Sequence, residues 1–233
     1  MPMIFSLKLG DGTVDAVVHQ NKGPLPTMIN VHDDEDVSVA AGKANIAEFG
    51  GRVIELVHSG ERLITFSLGG QTFSFDPNRI FSDAGIAATL TKHSVNAPEA
   101  AAAIKAFAAE YLRVLALEKE PVIIALHNTI DGTFSVESFG PNGLLKSEAA
   151  LTHISSSRDK FDFFYVTEES YFEFLREREF NVVLQDNANV TEDGSLSVFF
   201  AKRGIPYINV EAEIKNLGMQ VEMLRAVRVM IGM

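Results

Sequence analysis

The chain has 233 residues, of which 46% are hydrophobic and 22% charged, and its formal net charge is −11. This length suffices for a full core and fits one domain better than two, so we expect a single domain over residues 1–233. Lys and Arg are scattered, which argues against nucleic-acid binding, because phosphate neutralisation needs clustered positive charge. The lack of cysteine excludes disulfides and thiolate metal sites, leaving His and carboxylates as ligands for any transition metal.

The sequence carries no pattern typical of membrane insertion or export. No run approaches the roughly 20 apolar residues of a membrane span, and residues 1–5 do not begin a signal peptide. We therefore expect no membrane association and a cytoplasmic location. The periplasm is the alternative if a signal peptide has been cleaved.

Strand-like and helix-like segments alternate along the chain. Strands are predicted, in order, at Thr27–Val31, Arg52–His58, Leu63–Leu68, Gln71–Phe75, Pro121–Leu126, Phe161–Val166, Asn181–Gln185 and Pro206–Val210. Helices are predicted at Asp36–Phe49, Pro98–Glu118, Glu168–Phe180 and Glu222–Val229. Apolar strands between helices indicate an α/β fold with a mixed, mostly parallel sheet that helices cover on both faces.

Polar residues follow five of the predicted strands. They are His32 to Glu35, Asp76 to Arg79, His127 with Asn128, Asp186 with Asn187, and Glu211 with Glu213. Ligand sites in such sheets lie beyond the carboxyl ends of the strands, so we expect these groups to meet at one rim.

Three of these residues form a candidate metal-ligand set. Two neutral imidazoles and a carboxylate, here His32, His127 and Glu35, commonly hold a catalytic zinc and leave a fourth position for water. Simpler interpretations exist, since an acidic turn can cap a helix and a His after a buried strand can be a structural hydrogen bonder. Glu211 in an apolar strand is harder to dismiss, because an unpaired buried carboxylate is costly.

The order of these motifs resembles the zinc carboxypeptidase superfamily, including its aspartoacylase and succinylglutamate desuccinylase branch. That family has His-x-x-Glu, then Asp-x-Asn-Arg, then a lone His after a strand, then a catalytic Glu late in the chain. The matching residues here are His32 and Glu35, Asp76 with Asn78 and Arg79, His127, and Glu211. The resemblance covers roughly residues 27–213 and implies a mixed sheet of about eight strands between helices.

The resemblance also implies a role for each residue. It makes His32, Glu35 and His127 zinc ligands, and Asp76 the acceptor of the outer N–H of His32. Asn78 and Arg79 would bind a substrate carboxylate, Arg62 would polarise the scissile carbonyl, and Glu211 would be the general base. Glu213 lies on the same strand face and is the alternative base.

The function predicted from this pattern is zinc-dependent hydrolysis of an amide next to a free carboxylate, in a small peptide or an acylated amino acid. One alternative is a deacylase of small N-acyl amino acids, and another is a non-catalytic binding module of the same fold. A third is a metal-free α/β protein unrelated to the family. The extra acids Asp33, Asp34 and Glu213 leave room for a second metal ion.

Overall fold

The protein is described by a computed structural model that covers residues 1–129, 132 and 134–232. Its strands, in chain order, are β1 Met3–Leu9, β2 Gly12–Asn21, β3 Thr27–Asn30, β4 Gly51–Val57, β5 Ile64–Leu68, β6 Gln71–Phe75, β7 Ile123–Thr129, β8 Ala149–His153, β9 Phe163–Val166, β10 Asn181–Gln185 and β11 Tyr207–Glu213. Its helices are α1 Asp36–Phe49, α2 Asp83–His93, α3 Pro98–Val114, α4 Glu169–Arg176, α5 Leu196–Ala201 and α6 Leu217–Ile231.

Nine of the strands form one sheet in the order β1-β2-β4-β3-β7-β11-β9-β10-β8, and β5 pairs with β6 in a separate hairpin. The four strands β4, β3, β7 and β11 run parallel to one another. β9 and β10 run the opposite way, because β9 is antiparallel to β11 and parallel to β10. The predicted α/β fold with a large mixed sheet is confirmed, and the sheet has one strand more than expected.

Two apolar layers cover the sheet. On one face the core is built with α2, α3, α5 and the β5–β6 hairpin, and on the other with α1, α4 and α6. Central strands contribute to both layers by alternation: Ile123 and Ala125 of β7 face the hairpin side, while Ile124 and Leu126 face α1 and α6. The same alternation places His127 on the hairpin side and Asn128 on the opposite side.

Most of the predicted elements are present with small shifts at their ends. The bounds of α1 and β10 agree with the prediction, and the predicted hairpin around Gly69 and Gly70 forms. The Ala-rich helix ends earlier than predicted, at Val114, and the last helix is longer, over Leu217–Ile231. The sequence prediction missed β1, β2, β8, α2 and α5. Within the described residues, no helix combines the length and the apolar character needed to cross a membrane.

Candidate metal centre

The structure brings the three predicted ligands together in a buried cluster. His32 and Glu35 lie in the turn between β3 and α1, and His127 lies near the end of β7. Nδ1 of His32 is 3.0 Å from Oε1 of Glu35 and 3.2 Å from Nδ1 of His127, which is in turn 2.9 Å from Oε2 of Glu35. Among the described residues these three form the group whose ligand atoms are close enough to hold one metal ion.

The sheet itself accounts for this meeting. β3 and β7 are adjacent and parallel, so their carboxyl ends lie at the same edge of the sheet. The buried Asn30 at the end of β3 links the two strands, since its Nδ2 donates to the carbonyl of Leu126 at 3.1 Å and to Oγ of Ser38 at 3.0 Å. The turn that carries His32 and Glu35 is thereby fixed against β7.

Two further amide side chains hold the backbone of the same region from the other face of the sheet. Oδ1 of Asn128 accepts from the backbone N–H of Ser38 at 2.7 Å, which satisfies a free donor in the first turn of α1. Gln220 of α6 accepts from Nδ2 of Asn128 at 3.0 Å and donates to the carbonyl of His127 at 2.9 Å. We call Asn30, Asn128 and Gln220 the amide network; all three are buried.

Asp76 reaches the cluster from the β5–β6 hairpin. Its Oδ1 lies 3.0 Å from Nε2 of His32, which is the contact predicted from the sequence, and it also accepts from the backbone N–H of Asn78 at 2.8 Å. When Nε2 donates its proton to Asp76, the neutral imidazole presents a lone pair at Nδ1, towards Glu35 and His127. Asp76 therefore selects the tautomer of His32 that a metal needs.

The electrostatics of the cluster favour a positive charge at its centre. Burial lowers the pKa of His32, but Glu35 and Asp76 outweigh it and raise that pKa to about 9. For Glu35 the two effects have the opposite signs. Burial raises the pKa of the carboxyl, but the attraction of His32 and His127 outweighs burial and brings that pKa well below its usual range. Without a metal, His32 and Glu35 thus hold each other in the charged form, and a bound cation would take the place of the proton on His32.

The spacing of the ligand atoms fits a metal ion. Two ligands of a tetrahedral zinc, each about 2.0–2.1 Å from the ion, are about 3.3 Å apart. The three separations between ligand groups are 2.9–3.2 Å. His32, His127 and Glu35 would hold such a cation through the two facing Nδ1 atoms and the carboxylate. Nε2 of His127 is buried and has no hydrogen-bond partner within the described part of the chain.

Replacing Asp76 with Ala is expected to lower metal affinity by about 10–100-fold, because His32 loses the acceptor that sets its tautomer and orientation. Competition against a chelator of known affinity measures the change. Asp76→Asn is the matched variant, since it keeps an acceptor oxygen for the turn at Asn78 and loses only the charge; its effect should be smaller. An Asp76→Ala protein with the metal affinity of the wild type would refute the role of Asp76.

Glu211 lies beside His127 on the neighbouring strand. The two residues are partners in the parallel pairing of β11 with β7, so their side chains project from the same face of the sheet. The carboxylate is buried and accepts from Oγ1 of Thr129 at 2.9 Å and from Nδ2 of Asn209 at 3.2 Å. Burial raises the pKa of Glu211, while these two donors act in the opposite direction. A carboxylate with a raised pKa is well suited to accept a proton near neutral pH.

Glu213, the alternative base, is placed differently. Glu211 lines the cavity over the cluster, and Glu213 is not among the residues that do so in the described structure. The backbone N–H of Glu213 donates to Asp162 at 3.0 Å, which places this residue at the end of β11 beyond the site. The geometry therefore favours Glu211.

The three other predicted site residues line the same cavity. Arg62 approaches the metal cluster itself, with Nη1 2.8 Å from Oε1 of Glu35. Oδ1 of Asn78 accepts from the backbone N–H of Leu196 at 3.0 Å, which fixes the orientation of the side-chain amide. Nε of Arg79 lies 3.5 Å from Oδ2 of Asp193, an ion pair on the open side of the site.

The prediction that five strand ends meet at one rim is wrong for Asp186 and Asn187. They follow β10, which runs opposite to β11, so the carboxyl end of β10 points to the other edge of the sheet. Asp33 is also outside the candidate metal group, since its Oδ2 accepts from the backbone N–H groups of His58 and Gly60. It fixes the loop that leads to Arg62.

The cavity over the cluster has a volume of about 760 Å³ and includes residues that the sequence analysis missed. Thr129 and Asn209 contact Glu211, and Asp193 contacts Arg79. A usable signal existed for two of them: Thr129 and Asn209 each lie two positions from a predicted site residue on the same strand, and alternate strand residues share a face. No comparable signal marks Asp193, which comes from a loop.

Comparisons with known proteins give no family assignment. No family model matches the sequence, and no curated protein matches it significantly. Among solved structures, the chain is similar to proteins named "putative metallopeptidase" from Shewanella baltica OS155 and Shewanella denitrificans OS217. The first is 13% identical, and the likeness covers 98% of this chain and 84% of that protein. The second is 14% identical, and the likeness covers 98% of this chain and 82% of that protein. The TM-score is 0.45 in both cases. Likenesses at this level do not establish a function, which has to be argued from the site.

Proposed function

We propose that the protein is a metal-dependent hydrolase, with zinc as its metal, that cleaves an amide bond next to a free carboxylate. The observation that carries this proposal is the buried triangle of His32, Glu35 and His127 with the carboxylate of Glu211 beside it. A ligand set of two His and one Glu that leaves a coordination position open is typical of catalytic zinc. The motif order that resembles zinc carboxypeptidases supports the same reaction.

The roles of the residues follow from their positions. Bound zinc supplies a Lewis acid and lowers the pKa of water. Glu211 accepts the proton of the attacking water and returns it to the leaving amine, and Thr129 and Asn209 hold its two carboxylate oxygens in place. Arg62, anchored on Glu35, presents a positive charge at the edge of the cluster where negative charge develops on the carbonyl oxygen.

The free carboxylate of the substrate would bind Asn78 and Arg79. Nδ2 of Asn78 has no partner among the described residues, and its partnered Oδ1 fixes the direction in which Nδ2 donates. Arg79 is about 40% exposed and pairs with Asp193 at 3.5 Å, a contact that a substrate carboxylate can replace at small cost. The guanidinium fork suits a carboxylate geometrically.

The cavity volume also suits a substrate as small as an N-acyl amino acid. About 760 Å³ lies within the range of about 300–1,000 Å³ typical of small-molecule sites. A deacylase of N-acyl amino acids is therefore the second candidate, with the same residues in the same roles.

The decisive experiment uses zinc-loaded protein and matched substrate pairs. N-acetyl amino acids and tripeptides with a free carboxylate are compared with the same compounds carrying a terminal amide. We expect release of amine from the free acids only, because Asn78 and Arg79 have nothing to bind in the amidated compounds. Equal cleavage of acids and amides would remove the carboxylate requirement. A faster reaction of N-acetyl amino acids than of tripeptides would identify the deacylase.

A further inference from the structure

Two of the carboxylates that line the cavity, those of Glu148 and Asp193, have no part in the proposed reaction. Asp193 lies on the open side, where its Oδ2 is 3.5 Å from Nε of Arg79 and its Oδ1 accepts from the backbone N–H of Ser195 at 2.9 Å. Glu148 accepts from the backbone N–H and from Oγ1 of Thr191, both at 2.8 Å. These donors to Glu148 are neutral, so they do not cancel its negative charge.

The loop that carries Asp193 is fixed on the turn that carries Arg79. The backbone N–H of Phe81 donates to the carbonyl of Gly194 at 3.0 Å. Gly194 has φ = 75°, and a Cβ at this position would lie 2.7 Å from the carbonyl oxygen of Arg79. Because the loop backbone is fixed and Ser195 holds Oδ1, the carboxylate of Asp193 stays beside a ligand that takes its place on Arg79.

Few side chains bring positive charge to the cavity. Among the described residues, it is lined by two arginines, Arg62 and Arg79, and by no lysine. Nη1 of Arg62 is engaged with Glu35 at 2.8 Å, which leaves Arg79 to bind a ligand carboxylate. A second carboxylate of the same ligand then finds no further arginine or lysine in the described part of the cavity. It lies instead in the field of Asp193 and Glu148.

The phenol of Tyr165 responds to this negative field. Tyr165 lines the cavity, and its hydroxyl lies 3.3 Å from the carbonyl of Glu148. Burial contributes most to raising its pKa, the charges of Glu148 and Asp193 raise that pKa further, and Arg79 acts in the opposite direction. The two carboxylates thus disfavour a negative charge on a group that faces the cavity, as they would on a bound ligand.

We propose that Asp193 is a specificity-determining residue that selects ligands with a single carboxylate. In the structure it pairs with Arg79, and a ligand carboxylate has to replace it there. After that replacement, Asp193 repels a second carboxylate of the ligand. The inference rests on the proposed function for the binding of the first carboxylate to Arg79. The substrates it favours are N-acylated neutral amino acids rather than N-acylated aspartate or glutamate.

Isothermal titration of the zinc-loaded protein with glutarate and with 4-nitrobutyrate tests the proposal without any turnover. The two probes have almost the same shape, and a neutral nitro group in the second replaces one carboxylate of the first. In Asp193→Asn the side-chain amide keeps an acceptor for Ser195 and loses the charge. Contacts to the metal are the same in wild type and variant, so they cancel in the comparison.

We expect Asp193→Asn to increase the affinity for glutarate, relative to that for 4-nitrobutyrate, by about ten-fold, because a like charge close to the second carboxylate has been removed. An equal change in the two affinities, no change in either, or no measurable binding of 4-nitrobutyrate would overturn the proposal.

Glu192→Gln is the matched control in the same loop. Glu192 pairs with Lys202 and does not line the cavity in the described structure. The variant loses the same charge one residue away from Asp193, and the ratio of the two affinities should stay close to that of the wild type, because exposed charges are screened by salt. Equal effects of the two variants on this ratio would indicate a general effect of net charge and refute the role of Asp193.

The outcomes separate this proposal from the proposed function. If Asp193→Asn shifts the ratio but no free-acid amide is hydrolysed, the hydrolase fails and the selection by Asp193 stands. If amides are hydrolysed and the wild type cleaves N-acetyl aspartate as fast as N-acetyl asparagine, the selection fails and the hydrolase stands.

Discussion

Replacing Glu211 with Gln is expected to reduce turnover by about 10²–10⁴-fold while the protein keeps its metal and its affinity for substrate. The amide of Gln has almost the size of the carboxylate and can still contact Thr129 and Asn209, but it cannot accept a proton from water. The measurement is kcat on the best free-acid substrate, together with metal content and the affinity for a carboxylate ligand.

Glu213→Gln is the matched control on the same strand. Glu213 does not line the cavity in the described structure, so the kcat of this variant should stay close to that of the wild type. Unchanged kcat in Glu211→Gln, with metal bound, would show that Glu211 is not the base. Metal binding without turnover in the wild type, over the whole range of free-acid amides, would instead favour the non-catalytic binding module.

Replacing His127 with Ala is expected to abolish stable metal binding, because it removes one of three ligands from a buried site. Elemental analysis should find about one metal ion per wild-type chain and far less in the variant. A metal that binds only the folded state stabilises it by about 2.7 kcal/mol when present at a hundred-fold excess over its Kd. A chelator should therefore lower the melting temperature of the wild type and leave that of His127→Ala unchanged.

His153→Ala controls for the loss of an imidazole elsewhere. His153 lies on β8, and its Nε2 is 3.6 Å from Glu179, a residue outside the cavity. The variant should keep its metal and its response to the chelator. If His127→Ala retains the wild-type metal content, the candidate metal centre is wrong and the metal-free α/β interpretation gains support.

The elements that could be predicted from the sequence are those with a strong local signal. Helix α1 ends at Phe49 and is followed by Gly50, whose φ of 91° is a conformation that glycine adopts readily, so the end of the helix is encoded locally. The hairpin of β5 and β6 has Gly69 and Gly70 with positive φ at its turn. The edge strand β8 carries no such signal, since none of its residues is buried and it joins the sheet only by pairing with β10.

The candidate site likewise has residues whose meeting could be predicted from the sequence and others whose position could not. His32 and Glu35 share one turn, and their meeting with His127 followed from the general rule about the ends of parallel strands. That rule failed for Asp186 and Asn187 because the direction of β10 depends on the order of strands in the sheet, which local patterns do not specify. The contact of Arg62 with Glu35 was also beyond prediction, since a loop held by Asp33 sets it.

The amide network has a consequence for how the candidate metal centre would be loaded. Asn30, Asn128 and Gln220 fasten the backbone at the turn and at His127 through protein groups alone, without help from a metal. We therefore expect the fold to form without the ion and the ion to load afterwards, unlike small zinc domains in which binding and folding are one event. On this expectation ions would exchange in the native protein, and the identity of the bound metal would depend on cellular supply as well as on the ligands.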